Sequence, residues 1–303
     1  MNSLLILFAN NILPIFLAAG AGYLVSKYLG VKPRAVSRIA FYIFSPSLIF
    51  HILTNNQLNN SDIFHIAGFT IASILSVGLV TWIIARFLRI QRPLLVAVLL
   101  TAMFGNAGNY GLSLNLFAFG EEALAYASLY FVTAAILTYT LGVFIASLGS
   151  MSIKESLVGL LKVPMVYAVA LAFLFTTLGW TLPLALDRTV NLLADAAIPV
   201  LLVLMGIQLH HTTWNGQTKA LVLSNSMRLV GGPILALGLS VVFGLTGTAR
   251  QAGVTEAAVP TAVMMTVLAT EFNINPSFVT TAVFTSTLLS PLTLTPLLAY
   301  LGA

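Results

Sequence analysis

The chain has 303 residues, of which 59% are hydrophobic and only 7% are charged, and its mean hydropathy is +1.01. Soluble proteins carry about 25% charged residues, so this composition excludes a water-soluble domain and predicts a protein embedded in a lipid bilayer. The net charge of +5 comes from basic residues between hydrophobic segments, as in membrane proteins, and indicates no nucleic-acid partner. Cysteine is absent, which excludes disulfides, thiolate metal sites and cysteine nucleophiles.

Ten hydrophobic segments approach or exceed the roughly 17 to 25 apolar residues that a membrane-spanning helix needs. The second segment contains Pro46 and the seventh contains Pro199, and each proline predicts a kink. We therefore predict an all-α membrane protein with ten transmembrane helices. In chain order the predicted spans are 4–26, 39–53, 63–85, 93–119, 123–148, 163–180, 190–209, 220–243, 252–269 and 277–299.

The fourth and ninth spans are each interrupted near the centre by residues that break helices. Residues 105–111 of span 4 read GNAGNYG, and residues 259–261 of span 9 read VPT. A helix can lose its regular hydrogen bonds within a membrane only where protein or a water-filled cavity satisfies the freed groups. Paired breaks in corresponding positions of two halves are typical of the binding sites of secondary transporters.

The two breaks belong to a wider correspondence between the halves of the chain. Asn106 and Pro260 are 154 positions apart, and Pro46 and Pro199 are 153 positions apart. This offset predicts two five-helix repeats, residues 1–150 and 151–303. Because five is odd, the second repeat enters the membrane from the opposite side, an arrangement that supports alternating access. A gene duplication without a transport role is the alternative.

Basic residues predict the orientation of the spans. The loops after spans 1, 3, 5 and 7 hold ten Lys and Arg residues, whereas the opposite face has only Arg188 and Arg250. The positive-inside rule therefore places the N-terminus and the C-terminus outside. The ten residues on the cytoplasmic side are Lys27, Lys32, Arg34, Arg38, Arg86, Arg89, Arg92, Lys154, Lys162 and Lys219.

The breaks have the chemistry of an anion site. The exposed N-terminus of a half-helix is equivalent to roughly half a positive charge, so two converging ends would bind an anion. Asn and Tyr side chains add hydrogen-bond donors, glycines would let a ligand approach the backbone, and the proline frees a carbonyl. Close helix packing by small residues is the alternative. The predicted substrate-binding residues are Asn106, Gly108, Asn109, Tyr110, Gly111, Pro260 and Thr261.

Three ionisable residues inside the spans are candidates for coupling, because burying them in a membrane is costly. Glu256 lies one turn before Pro260 and either couples protons or a cation to transport or faces water at a helix end. Arg228 either attracts the substrate anion or extends to the inner surface, and we favour the second role. Asp195 lies in the outer part of span 7 and has no partner that the sequence identifies.

No cofactor, metal or enzymatic activity is expected. The histidines lack metal-ligand spacing: His51 and His65 lie at span ends, and His210 and His211 in a loop. The sequence contains no H-E-x-x-H, G-x-S-x-G or P-loop motif. An anion channel is a closer alternative, because broken helices also line pores, but the charged rings of a selective pore are missing.

Three segments of the C-terminal half resemble the auxin efflux carrier family, which includes bacterial malate and malonate permeases and plant auxin carriers. They are QAGVTEAAVPTAV at residues 251–263, LATEFN at 268–273 and STLLS at 286–290. The run at 105–111 is similar to the partner motif of that family. The sequence is therefore identified as a member, and its short central loop, 149–162, is typical of a prokaryotic form.

The resemblance implies that spans 4 and 9 cross near the bilayer midplane. It also implies an elevator mechanism, in which spans 3–5 and 8–10 move against a scaffold of spans 1, 2, 6 and 7, and a homodimer contact on the scaffold. The expected function is transport of a small organic anion, a carboxylate, across the prokaryotic inner membrane. Phosphorylation control through a long central loop is not carried over. A sodium-coupled symporter of the bile-acid-transporter type is an alternative.

Overall fold

The structure, a computed structural model, describes residues 2–55, 60–146, 164–211 and 217–303. These ranges are helical apart from short connections, and extended pairing in them is limited to one isolated bridge between Gly105 and Thr261. The prediction of an all-α protein is confirmed. The predicted central loop, 149–162, lies outside the described residues.

In the described part of the chain, seven helices are long and apolar enough to cross a membrane. They coincide with predicted spans 1, 2, 3, 5, 7, 8 and 10. Numbered along the chain together with the shorter helices below, they are α1 (Leu4–Leu29), α2 (Pro33–Asn55), α3 (Ser61–Phe87), α6 (Glu121–Ala146), α8 (Leu184–His210), α9 (Thr218–Val242) and α12 (Pro276–Leu301).

The three other predicted spans are made of shorter helices. Span 4 consists of α4 (Arg92–Met103) and α5 (Leu112–Phe119), which is preceded by a π-helical turn, Ala107–Gly111. Span 9 consists of α10 (Gly247–Ala258) and α11 (Met264–Glu271), and span 6 of α7 (Pro164–Leu178). Helix length and composition therefore identify seven candidate spans in the described residues, and the ten-span inverted repeat stays a prediction.

The helices pack in two groups. In one group α1 lies along α8, and α2 packs against both α7 and α8. In the other, α6 packs against α3, α5 and α10, while α9 packs against α3, α4 and α10. The groups meet through an apolar cluster in which Ile12 and Ile15 of α1 join Leu112 and Leu114 of the broken span 4. The broken spans thus lie in the second group, with their apolar side chains against the first.

Two glycines bring α1 and α8 into backbone contact. A Cβ atom on Gly22 would collide with the backbone of Val203, and a Cβ on Gly206 would collide with the backbone of Ala19. Small residues allow helices in a membrane to approach this closely and to associate through van der Waals contact. The first group of helices is therefore built around a tight α1–α8 pair.

We expect Gly22→Ala to destabilise the protein by about 1–3 kcal/mol, because the added methyl group forces the two backbones apart. The measurement is the thermal unfolding midpoint of the protein in detergent. Gly20→Ala on the same helix is the matched control: a Cβ there has no neighbour within 4 Å, and alanine favours the helix. Equal midpoints for the two variants would contradict the close contact.

Candidate functional site

The interruptions of spans 4 and 9 meet through their backbones. Gly105 and Thr261 form an antiparallel bridge. On either side of it, the N–H of Asn106 donates to the carbonyl of Pro260 over 2.7 Å, and the N–H of Ala262 donates to the carbonyl of Phe104 over 2.9 Å. Backbone groups that the breaks remove from helices are thus satisfied by the partner segment, as a membrane interior requires. The two spans are broken at the predicted residues and lie together.

Thr261 anchors this pairing to the surrounding helices. Its hydroxyl donates to the carbonyl of Thr101 over 2.8 Å, and its N–H donates to the hydroxyl of Ser286 over 3.1 Å. The residue is fully buried. Both of its donors are therefore used to join the break to α4 and α12.

Arg228 joins the C-terminal ends of the two first half-helices. It lies on a π-helical turn within α9, and its side chain is 2% exposed. Nη1 donates to the carbonyls of Ala102 and Met103 over 3.3 and 3.0 Å, and Nη2 donates to the carbonyl of Ala257. Since the C-terminus of a helix carries roughly half a negative charge, one guanidinium stabilises the ends of both α4 and α10.

The prediction that Arg228 extends to the inner membrane surface is wrong. The guanidinium is directed into the protein, where carbonyls of two broken helices supply acceptors. From the sequence, only the presence of a charged residue inside a span could be predicted. The hydrogen-bond partners of Arg228 could not, because they come from segments that are distant along the chain.

A cavity of about 900 Å³ reaches the paired break from the side of Arg34 and Arg38. Its inner wall contains residues 105–109 and 262–267, which include the first turns leading into α5 and α11. The wall also includes apolar side chains such as Phe131 and Leu201. Among the lining residues that the structure describes, the charged ones are the two arginines, and there is no Asp or Glu.

Three of the seven predicted binding residues line this cavity: Asn106, Gly108 and Asn109. Tyr110 does not line it, because its ring is buried edge-on against Phe16, with centroids 6.4 Å apart, and its hydroxyl is bonded to Ser290 over 3.1 Å. Gly111, Pro260 and Thr261 likewise do not line the cavity. Pro260 and Thr261 take part in the backbone pairing of the break.

Protein groups occupy the space beside the two glycines of the predicted site. A Cβ on Gly108 would come within 2.8 Å of the Phe131 ring, and a Cβ on Gly111 would collide with the carboxyl group of Glu256. Gly108 therefore lets an aromatic side chain approach the break, and Gly111 makes room for a buried acid.

Glu256 is fully buried against α5. Asn115 donates from Nδ2 to Oε1 of Glu256 over 3.1 Å and to the carbonyl of Gly111 over 3.0 Å. Oε2 of Glu256 has no hydrogen-bond partner in the described residues. The alternative that Glu256 faces water is wrong. The sequence analysis missed Asn115, although its position one turn after Gly111 places it on the same helix face.

Among the remaining candidates, only His211 lines the cavity. Asp195 is exposed on α8 and does not line the cavity. His51 is bonded to Asn55 over 2.9 Å, and His210 and His211 share the hydroxyl of Ser26. In the described residues, no group of three or more His, Asp or Glu side chains is placed to hold a metal.

These features define a helical integral membrane protein in which two interrupted spans pair beside a cavity lined by apolar side chains and a few polar ones. The family model described as membrane transport protein matches residues 7–157 and 147–298. The chain therefore belongs to this family, to which the auxin efflux carriers also belong, and it is a membrane transporter.

Two archaeal relatives match over nearly their whole length. An uncharacterized transporter of Methanothermobacter thermautotrophicus is 25% identical over 286 residues, which cover 92% of this chain and 94% of the relative. One from Methanocaldococcus jannaschii is 23% identical over 291 residues, with the same coverage. Auxin efflux carrier component 3a of rice is 27% identical over 142 residues, 45% of this chain and 23% of the relative.

Proposed function

We propose that this transporter carries a small organic anion, a carboxylate such as malate or an auxin-like acid, by alternating access. The observation on which the proposal depends is the distribution of helix-terminal charge at the paired break. Arg228 occupies the negative C-terminal ends of α4 and α10, whereas the positive N-terminal turns leading into α5 and α11 line the cavity. The cavity is therefore suited to a negative ligand.

The polar and basic groups of the cavity also favour a negatively charged ligand. The first N–H groups of a helix lack intrahelical acceptors and readily bind a carboxylate. The side chains of Asn106 and Asn109 lie in the same wall, and Arg34 and Arg38 lie toward the entrance. A cleft lined by one sign of charge raises the local concentration of the opposite ion, here the substrate.

The size and apolar walls of the cavity suit a small organic molecule. Ligand pockets typically span about 300–1,000 Å³ and are lined by apolar side chains with a few polar groups. This cavity measures about 900 Å³, and Phe131, Met165 and Leu201 line it together with the two asparagines. A carboxylate held at the break would leave its carbon skeleton against these side chains.

The two packing groups supply a basis for alternating access. In the proposed elevator mechanism, α1, α2, α7 and α8 form a scaffold and α3–α6 with α9–α12 move as the transport domain. The helices then form ten spans in two inverted repeats, residues 1–150 and 151–303, in a prokaryotic inner membrane with both termini outside. The cavity entrance at Arg34 and Arg38 faces the cytoplasm in this arrangement, and the scaffold is the surface for a homodimer.

Ligand binding is tested by thermal unfolding of the purified protein with malate, malonate and indole-3-acetate, each with and without Na⁺. A ligand present at 100 times its dissociation constant stabilises the folded state by about 2.7 kcal/mol. We expect at least one carboxylate to raise the midpoint, relative to chloride at equal ionic strength. Stabilisation that requires Na⁺ would favour the sodium-coupled alternative, and no stabilisation by any carboxylate would contradict the proposal.

Transport by a carrier is distinguished from flow through a channel by counterflow in proteoliposomes. We expect a labelled carboxylate to accumulate transiently against unlabelled substrate, with a rate that saturates as its concentration rises. A linear rate without counterflow would instead support an anion channel.

A further inference from the structure

We propose that the buried carboxyl group of Glu256 binds a proton when an anion occupies the cavity, so that the transporter moves the anion together with a proton. This inference rests on the proposed function. It assigns the coupling ion and the residue that holds it. A hydronium ion from the solvent donates the proton: one of its O–H bonds breaks, the O–H bond of the carboxyl group forms, and a water molecule is left.

The surroundings of Glu256 leave one carboxyl oxygen available for a proton. The side chain is fully buried, Oε1 accepts a hydrogen bond from Asn115, and Oε2 has no partner in the described residues. An unpaired polar oxygen inside a membrane protein is costly, and an ionised one is more so. A proton on Oε2 removes that charge without displacing the bond to Asn115.

The charged and titratable groups that act on Glu256 are few. From α9, Arg228 is the neighbouring cation, and from α6, Tyr130 faces both residues. The neutral contacts are Asn115 of α5 and Gly111 of the π-helical turn before it. The hydrogen bonds of Arg228 go to carbonyls of α4 and α10, so its guanidinium is held in place while its charge still acts on the carboxyl.

Other helices that pack on α10 direct their titratable groups elsewhere. On α3, Asp62 accepts a hydrogen bond from Tyr126, and on α12, Tyr300 contacts Arg250. The charge balance around the break therefore depends on Arg228, Glu256 and the ligand.

That balance links the proton to the anion. In this proposal Glu256 is ionised while the cavity is empty, because its negative charge then compensates the neighbouring Arg228. A carboxylate in the cavity adds a second negative charge close by, because Asn109 lines the cavity and Gly111, two residues on, contacts the Glu256 carboxyl. Like charges disfavour each other in a site of low dielectric constant, so the anion favours protonation of Glu256. By linkage, protonation of Glu256 strengthens anion binding by the same factor.

The test measures protons taken up when the purified protein binds malate, malonate or indole-3-acetate in weakly buffered solution with an indicator dye. The pH is kept above the range in which the ligands themselves titrate. The wild-type protein is expected to take up about one proton per anion bound, and its affinity to fall by up to about tenfold per pH unit. Glu256→Gln should bind the anion with no proton uptake and no pH dependence.

The matched control is Glu121→Gln, which neutralises an exposed acid at the start of α6 and should behave as the wild type. Anion binding without proton uptake by the wild-type protein would overturn this inference and leave the proposed function intact. If none of the three carboxylates stabilised the protein, both would fall together.

A second measurement applies if Glu256→Gln does not fold. Infrared difference spectra of the wild-type protein should gain the carbonyl band of a protonated carboxylic acid when the anion is added. A spectrum without that band would also overturn the inference.

Discussion

Replacing Arg228 by methionine is expected to abolish the folded paired break. Methionine keeps much of the apolar volume but removes every donor, which orphans the carbonyls of Ala102, Met103 and Ala257. Each buried acceptor left without a partner costs about 1–3 kcal/mol. Arg228 is 2% exposed, and methionine fills much of the same space, so little water reaches these carbonyls to replace the lost bonds. The combined loss is a large part of a typical folding free energy of about 5–15 kcal/mol.

The measurement is the yield of monodisperse protein in detergent and its thermal unfolding midpoint. Arg228→Lys should give an intermediate result, because an ammonium keeps the charge but lacks the planar fork that reaches two helix ends. Arg250→Met is the control, since that half-buried arginine contacts Ser240 and Tyr300 away from the break. A wild-type midpoint for Arg228→Met would contradict the role assigned to the guanidinium.

Asn109→Leu is expected to reduce uptake of the substrate anion by about ten- to a hundredfold while the protein stays folded. The side chain lines the inner end of the cavity, and its amide is bonded to no other side chain in the described part of the chain. A hydrogen bond to a charged ligand contributes about 1.5–3 kcal/mol, and every 1.4 kcal/mol is a factor of ten in affinity. Initial uptake rates in proteoliposomes, normalised to incorporated protein, measure the effect.

Two asparagines provide comparison variants for this experiment. Asn10 is exposed on α1, so Asn10→Leu should transport as the wild type. Asn106 is buried, and its amide contacts Met205 Sδ over 3.6 Å, so Asn106→Leu should lower both uptake and stability. Undiminished uptake by Asn109→Leu would remove that residue from the site.

The positions of the breaks followed from local chemistry. Glycine and proline weaken a helix through their own backbone properties. The breaks at residues 105–111 and 259–261 could therefore be predicted from the local sequence, without knowledge of the neighbouring helices. Which side chains next to a break line the cavity, and which are buried, could not be predicted in this way. Asn109 and Tyr110 are consecutive, yet one lines the cavity and the other is buried against Phe16 and Ser290.

The roles of Arg228 and Glu256 depend on contacts between distant segments. A charged residue inside a span indicates a functional role but does not indicate where its side chain points. The side chain can reach either the membrane surface or a partner inside the protein. Here the partners of Arg228 lie on α4 and α10, and the partner of Glu256 lies on α5. The repeat and the orientation of the spans rest on sequence offsets and basic loops, and they stay predictions.

The backbone pairing at residues 104–106 and 260–262 has a mechanical consequence. Two backbone hydrogen bonds join a segment from the first half of the chain to one from the second, and the guanidinium of Arg228 binds carbonyls beside both segments. A ligand bound at the paired break would keep the same protein contacts while the transport domain moves. If the proposed elevator movement and proton coupling hold, the affinity for the ligand would be the same at both faces of the bilayer, and the direction of transport would follow from the gradients of substrate and protons and from the membrane potential.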